Sequence, residues 1–174
     1  MDGIIIIDYQ KEFINTNSRK IVKPLTELMK QAKFGCVAET MWFNSGENNF
    51  IEELGYESCK YTDKASHLQM LFPKAHVYQR LNKYSAYSLA VDRLMRKCKT
   101  VYVCGLETDA CVLATVFSLF DAGYTVRVIE DCTSTISEDL HNATKLIMLR
   151  QFGKDIFVKS KDLYEQTEGG ADAC

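Results

Sequence analysis

The sequence predicts an α/β fold: a single doubly wound domain built on a six-stranded parallel sheet, with helices on both faces. Three observations carry this. Short apolar runs rich in β-branched residues recur along the chain without polar alternation, as strands buried on both faces require. Amphipathic stretches of about 10–15 residues separate them, the pattern of βα crossovers. With two prolines and nine glycines in 174 residues, no linker divides the chain.

Each element has its own signal. Gly3–Ile7 is a continuous isoleucine run bounded by Asp8, which reads as a doubly buried strand. Ile21–Ala32 reads as a helix, with Ile21, Leu25, Leu28, Met29 and Ala32 on one face and Gly35 beyond its end. Gly35–Thr40 is the second strand. Phe50–Leu54 is at most a short helix. His76–Gln79 reads as a third strand, and Tyr87–Cys98 as a helix with Leu89, Ala90, Leu94 and Met95 apolar. Thr100–Cys104 is a fourth buried strand. Ala110–Ala122 is a helix stopped by Gly123 at the position that favours glycine. Thr125–Ile129 is a strand, Asp139–Phe152 a helix stopped by Gly153, and Ile156–Lys159 the last strand. Residues 1–165 then form the domain, and the small, polar residues 166–174 a flexible tail.

Composition narrows the function. The chain is 47% apolar and 25% charged, with a formal net charge of -2 and scattered basic residues. That balance disfavours nucleic acid and anionic membranes as partners. No apolar run is long enough to span a membrane. Seven cysteines, an odd number with no CxxC pair, argue against a disulfide scaffold. Cys36, Cys104 and Cys132 lie in or beside apolar runs and read as buried small hydrophobes. The N-terminus lacks the basic stretch and long apolar core of a secretion signal. A cytoplasmic protein is expected.

Open α/β sheets bind ligands at the carboxyl edge of their strands. Here that edge should carry Asp8, Thr40, the turn over 105–111 and Asp131. Asp8 ends the first strand. Phosphotransferases of the haloacid dehalogenase type also place an aspartate there, but with a second one two residues on, where this chain has Gln10. No GxxxxGK[ST] or GxGxxG loop follows any strand, so nucleotide phosphates lack a cradle. Cys111 opens a helix directly behind a buried strand, where the helix dipole favours thiolate over thiol. Thr108 or Asp109 can cap that helix, and turn amides point where an oxyanion would develop. Lys83 precedes a helix, and beside a thiol its ammonium would stabilise the thiolate. Asp8, Lys83 and Cys111 thus supply a base, a cation and a nucleophile.

At these residues the chain resembles the isochorismatase-like cysteine hydrolases, a superfamily that includes nicotinamidases and N-carbamoylsarcosine amidases. Ile4-Ile-Ile-Ile-Asp8-Tyr-Gln-Lys-Glu-Phe13 is similar to the family's opening strand with its D-x-Q-x-x-F ending. Lys83-Tyr-Ser-Ala-Tyr87 is similar to its K-x-S-A-F motif, and Gly105-Leu-Glu-Thr-Asp-Ala-Cys111-Val to its G-x-x-T-x-x-C-V turn. Glu130-Asp131-Cys132-Thr-Ser134, with His141, resembles a late D-x-x-x-S…H segment. The likeness runs from about Ile4 to Lys159. It implies a catalytic triad of Asp8, Lys83 and Cys111. It also implies a cis peptide between Leu106 and Glu107, and an oxyanion hole from the backbone amides of Glu107 and Cys111. Glu107 is a departure, since many relatives carry a small residue there; its side chain either points away or shapes the pocket. Phe13, Trp42 and Tyr87 are expected to form an apolar substrate pocket.

A larger departure follows the second strand. Nicotinamidases carry D-x-H-x-x-x-H there to bind a divalent metal. This chain has Trp42 and Asn44 at the first two ligand positions and Glu47 or Asn48 at the third. Indole cannot ligate a hard cation and carboxamides ligate zinc poorly, so neither metal nor cofactor is expected. Isochorismatase itself hydrolyses a vinyl ether without a nucleophilic cysteine, and Cys111 therefore favours the amidase branch. The expectation is a metal-free hydrolase with sheet order 3-2-1-4-5-6 that cleaves a small amide-like C–N bond through a thioester at Cys111. Relatives assemble as dimers or tetramers, and the resemblance extends a homo-oligomer to this chain. Two rivals share the scaffold: a thiol redox protein with Cys104 or Cys132 as resolving thiol, and a non-catalytic binding module.

Overall fold

Isoleucine is branched at Cβ and packs best where a strand is covered on both sides. In the computed structural model, which describes residues 1–62, 68, 69, 72 and 74–165, the isoleucine run Gly3–Ile7 is strand β1, and every residue of it is buried. It pairs in parallel with β2 (Cys36–Phe43) on one side and β4 (Val101–Leu106) on the other. Strand β3 (His76–Leu81) extends the sheet beyond β2, and β5 (Val126–Ser134) and β6 (Phe157–Val158) extend it beyond β4. The order is β3-β2-β1-β4-β5-β6, as the sequence predicts. The tail over 166–174 lies outside the described residues.

The alternation of side chains along each strand divides the core in two. Ile5, Ile7, Val101 and Val103 pack under α3 (Leu89–Met95), α4 (Leu113–Asp121) and α5 (Glu138–Phe152). Ile4, Ile6, Cys104 and Leu106 pack against Leu25 and Leu28 of α1 (Val22–Gln31) on the other face. The short helix α2 (Asn49–Glu52) lies beyond the end of β2, with Asn48 as its cap: Phe50 N donates to Asn48 Oδ1 at 2.9 Å. Ser88 and Ser137 cap α3 and α5 by accepting from Val91 N and Leu140 N.

Of the boundaries that differ from the sequence reading, three bear on the site. β2 continues three residues past Thr40 and carries Trp42 and Phe43 as buried strand residues. β3 continues to Leu81, so Arg80 belongs to the strand. The helix expected from Ala110 begins instead with a wide turn over Thr108–Val112, in which Val112 N donates to Glu107 O at 3.1 Å, five residues back. Such wide turns inside helices recur at functional sites.

Candidate active site

The carboxyl ends of β1, β2 and β3 bring three polar side chains together. Asp8, the first residue after β1, is fully buried with φ of 46°, a left-handed conformation that aspartate tolerates better than most residues. Thr40 fixes it twice. Thr40 Oγ1 donates to Asp8 Oδ1 at 2.8 Å, and Asp8 N donates to Thr40 O at 3.2 Å. Arg80, from the end of β3, donates through Nη2 to Asp8 Oδ2 in an ion pair. Burial raises the Asp8 carboxyl above the ordinary carboxylate range, against the pull of Arg80 and Thr40.

Cys111 joins this pair from the turn after β4, and both Asp8 and Arg80 hydrogen-bond its sulfur. Its thiol is pushed up to about 12, first by burial and then by the Asp8 carboxylate, with Arg80 opposing. The sequence reading weighs the helix dipole, which favours thiolate. A helix end stabilises a charge by roughly 0.3–1 kcal/mol at the surface, and here burial beside an anion outweighs it. The resting sulfur keeps its proton and has a basic carboxylate next to it.

Lys83 is not part of this cluster. It is exposed, and what it offers the site is its carbonyl oxygen, which accepts from Arg80 Nη1. The cation beside the thiol is the Arg80 guanidinium. Immediately past β3, Asn82 takes a left-handed φ of 50° and the chain leaves the sheet edge before Lys83. The signal for Arg80 was strand alternation: Tyr78 and Arg80 are the partly buried positions among exposed neighbours in β3. Ser85 and Ala86 of the same motif have a different task. Ser85 Oγ donates to Ser118 Oγ at 2.8 Å and Ala86 N to Thr115 Oγ1 at 2.8 Å, while Thr115 Oγ1 donates to Cys111 O at 2.6 Å. The segment is thereby tied to the helix that carries the nucleophile.

Gly105 sets how closely that nucleophile approaches the carboxylate. It pairs with Ile7 across the sheet with φ of 107°, and a Cβ there would collide with the Ile7 backbone. Only glycine lets β4 pass so near the end of β1. The Leu106–Glu107 peptide that follows is cis. Thr108 does not cap the helix. Its Oγ1 lies 2.9 Å from Thr133 Oγ1 and 3.1 Å from His141 Nδ1, and Thr133 Oγ1 donates to Gly105 O at 3.0 Å. The late threonine and histidine thus brace the turn from behind.

Cys111 opens onto a cavity of about 270 Å³ walled by Phe13, Trp42, Phe50, Tyr56 and Tyr84, with Glu107 at its edge. Phe13 and Trp42 stand where the sequence reading expects them. Tyr87 does not: it packs on the core beneath α3, and its hydroxyl donates to Asp92 Oδ1 at 3.0 Å. Tyr84, three residues earlier, lines the cavity instead. Gln10 holds Trp42 in place by accepting from its N–H at 2.6 Å and donating to its carbonyl at 3.0 Å. Cys104 and Cys132 are fully buried on the α1 face of the sheet, opposite the core against which Cys111 packs.

A sequence profile of the isochorismatase domain matches residues 2–157. The chain belongs to the isochorismatase family. A secreted isochorismatase effector, Isc1, from Phytophthora sojae (strain P6497) is 35% identical over 85 residues, which is 47% of this chain and 40% of that protein. The isochorismatase domain-containing protein 2 of Bos taurus is 43% identical over 56 residues, 32% of this chain and 26% of its own length. Matches to relatives of this kind span about half of their lengths or less. Among solved structures, the pyrazinamidase of Pyrococcus horikoshii in complex with zinc superposes with a TM-score of 0.77 at 19% identity, covering 91% of this chain and 98% of that one. The N-carbamoylsarcosine amidase of Thermoplasma acidophilum gives 0.74 at 21% identity, covering 92% and 97%. At these identities the likeness is one of fold.

The zinc of that isochorismatase-fold relative raises the question of a metal here, and the residues present do not fit one. Trp42 fills the cavity wall with its indole. Asn44 is engaged by its neighbours, its amide donating to Tyr56 O and its Oδ1 accepting from Asn48 at 2.8 Å. Glu47 is exposed. Among the described residues no group of three or more His, Cys, Asp and Glu side chains gathers as a ligand set. No helix among them is long and apolar enough to cross a membrane.

Proposed function

We propose that this isochorismatase-family chain hydrolyses a small amide-like C–N bond through a thioester at Cys111, with Asp8 as the proton carrier and Arg80 as the fixed cation. One observation carries the reading: a buried carboxylate and a guanidinium converge on one sulfur at the floor of an apolar, ligand-sized cavity.

The chemistry follows from the protonation state. Asp8 takes the thiol proton as the sulfur attacks the substrate carbonyl, so that the thiolate forms only where an electrophile consumes it. The raised basicity of Asp8 favours this transfer, and Thr40 and Arg80 aim the carboxylate. Arg80 stays charged throughout and stabilises negative charge on the sulfur. The oxyanion of the tetrahedral intermediate accepts from the backbone amides of Glu107 and Cys111. Asp8 returns its proton to the leaving nitrogen, and the C–N bond breaks to leave the acyl group on sulfur. Asp8 then takes a proton from water, the resulting hydroxide attacks the thioester, and the proton goes back to Cys111.

The test is to incubate the protein with a panel of small primary amides, following ammonia release and the intact mass. An acyl adduct on Cys111 and complete loss of turnover in Cys111→Ala are expected. Turnover that persists in Cys111→Ala would overturn the mechanism.

A further inference from the structure

We infer that the cavity selects substrates that carry a positive charge, a quaternary ammonium or a protonated amine, close to the scissile carbonyl. This rests on the hydrolase reading given above and adds the substrate class to it.

The walls form an aromatic box. The Trp42 ring centroid lies 5.0 Å from Phe50, 5.7 Å from Tyr56 and 6.3 Å from Phe13, and Phe50 lies 4.8 Å from Tyr84. The planes of these pairs are tilted by 52–58°. Rings so tilted enclose a volume in place of forming a stack, and their negative faces attract a desolvated cation.

The charges around the box agree in sign. Among the described residues that line the cavity, Glu107 is the one ionisable carboxyl, and none is a lysine, arginine or histidine. Among the described residues its carboxylate has no hydrogen-bond or ion-pair partner. Asp109 adds negative charge beside Glu107, and Glu12 does so beside Tyr56. Arg80, the cation at the floor, is already paired with Asp8. A half-buried carboxylate with no partner beside apolar rings is costly. A cationic ligand offsets that cost, whereas a neutral one buries the carboxylate further and an anionic one adds repulsion. Burial and Asp109 already push Glu107 up to about 7, the direction expected of a carboxyl that lacks a counter-charge.

Two amides of equal shape test this. 2-(Trimethylammonio)acetamide and 3,3-dimethylbutanamide differ by a quaternary nitrogen in place of a carbon. Binding of each to full-length Cys111→Ala is measured by calorimetry at pH 8. The cationic amide should bind about tenfold or more tightly, of the order that cation–π and charge contacts supply. Adding Glu107→Gln should reduce the preference to about threefold or less, and Phe50→Leu should reduce it independently. Equal affinities, tighter binding of the neutral amide, binding of neither, or a preference untouched by Glu107→Gln overturns the inference.

The hydrolase reading fails separately. If the wild type forms an acyl-Cys111 adduct with the neutral amide and not with the cationic one, the hydrolase stands and the charge preference falls. If the cationic amide binds preferentially while neither amide acylates Cys111, the cation site stands and the thioester mechanism falls for this pair.

Discussion

The floor of the cavity and its walls are built on opposite plans. The floor takes Asp8, Thr40, Arg80 and Cys111 from the ends of four neighbouring chain segments, and both Asp8 oxygens are paired inside the protein. The walls take their rings mainly from loops and the short α2, and two of their polar groups lack partners among the described residues, the buried Trp42 Nε1 and the Glu107 carboxylate. A site whose reacting groups are satisfied by one another is preorganised for one chemistry. Groups without partners in the protein are the ones a ligand completes. The contrast assigns reactivity to the floor and selectivity to the walls.

The largest effect expected from breaking the floor comes from Arg80. Arg80→Met leaves Asp8 buried without its counter-charge, so turnover should fall by roughly 100-fold or more and stability by roughly 3–5 kcal/mol. Arg80→Lys keeps the charge but loses the fork that reaches Asp8 and the Lys83 carbonyl together. It should fold and retain part of the activity. Lys83→Met should change the rate by less than about twofold, as substitutions of exposed side chains usually do. Steady-state rates beside urea unfolding curves decide this. If Lys83→Met is the more damaging change, the cation has been assigned to the wrong residue.

Gly105→Ala tests how the floor is assembled. The added Cβ would meet the Ile7 backbone. Overpacking of this kind costs roughly 1–3 kcal/mol, and the displaced turn should lower the rate further by moving Cys111 away from Asp8. An unchanged urea midpoint together with an unchanged rate would contradict the close approach of β4 to β1.

For the walls, the pH dependence of ligand affinity is the sharper measurement. Burial, then Asp109, pushes Glu107 up to about 7; Tyr56 of the same wall feels both Glu107 and its hydrogen-bond partner Glu12. Only the ionised carboxylate attracts a cation, so affinity should rise as pH climbs through 7 and level off above it. Between pH 6 and pH 8 the ionised fraction rises about tenfold, and the affinity of a cationic amide for Cys111→Ala should rise by about threefold, the share of the preference that Glu107→Gln removes. A neutral amide should show no such rise, and neither amide should in Glu107→Gln. A cationic amide whose affinity ignores pH in this window would remove Glu107 from the walls' function.

The floor was more legible in the sequence than the walls, for physical reasons. Strand runs and helix stops announce where each strand ends, and in a parallel sheet strand ends meet at one edge. The sequence alone therefore places Asp8 and Cys111 at one edge. Arg80 was missed because β3 is an exposed edge strand whose alternation is faint, so its last residues read as loop and the nearby Lys83 took the role. Tyr87 was misplaced because an aromatic next to a motif looks the same whether it faces core or cavity; its bond to Asp92 decides for the core. Phe50, Tyr56 and Tyr84 lie on segments without strong periodicity, and their convergence depends on loop paths that local sequence does not encode.

Gln10 links the two regions, and its effect should be the smallest. Its side chain grips the Trp42 main chain from both sides, accepting from N–H and donating to C=O, and so fixes the indole that centres the box. It also lies two residues past Asp8. Gln10→Leu fills a similar volume but leaves two Trp42 backbone groups without these bonds, at a cost of roughly 1–3 kcal/mol in stability. If the walls serve selectivity alone, the loosened indole should raise KM by about threefold while kcat stays near its wild-type value. A fall in kcat with KM unchanged would mean that Trp42 also positions the reacting carbonyl, and the division between floor and walls would then have to move to include it.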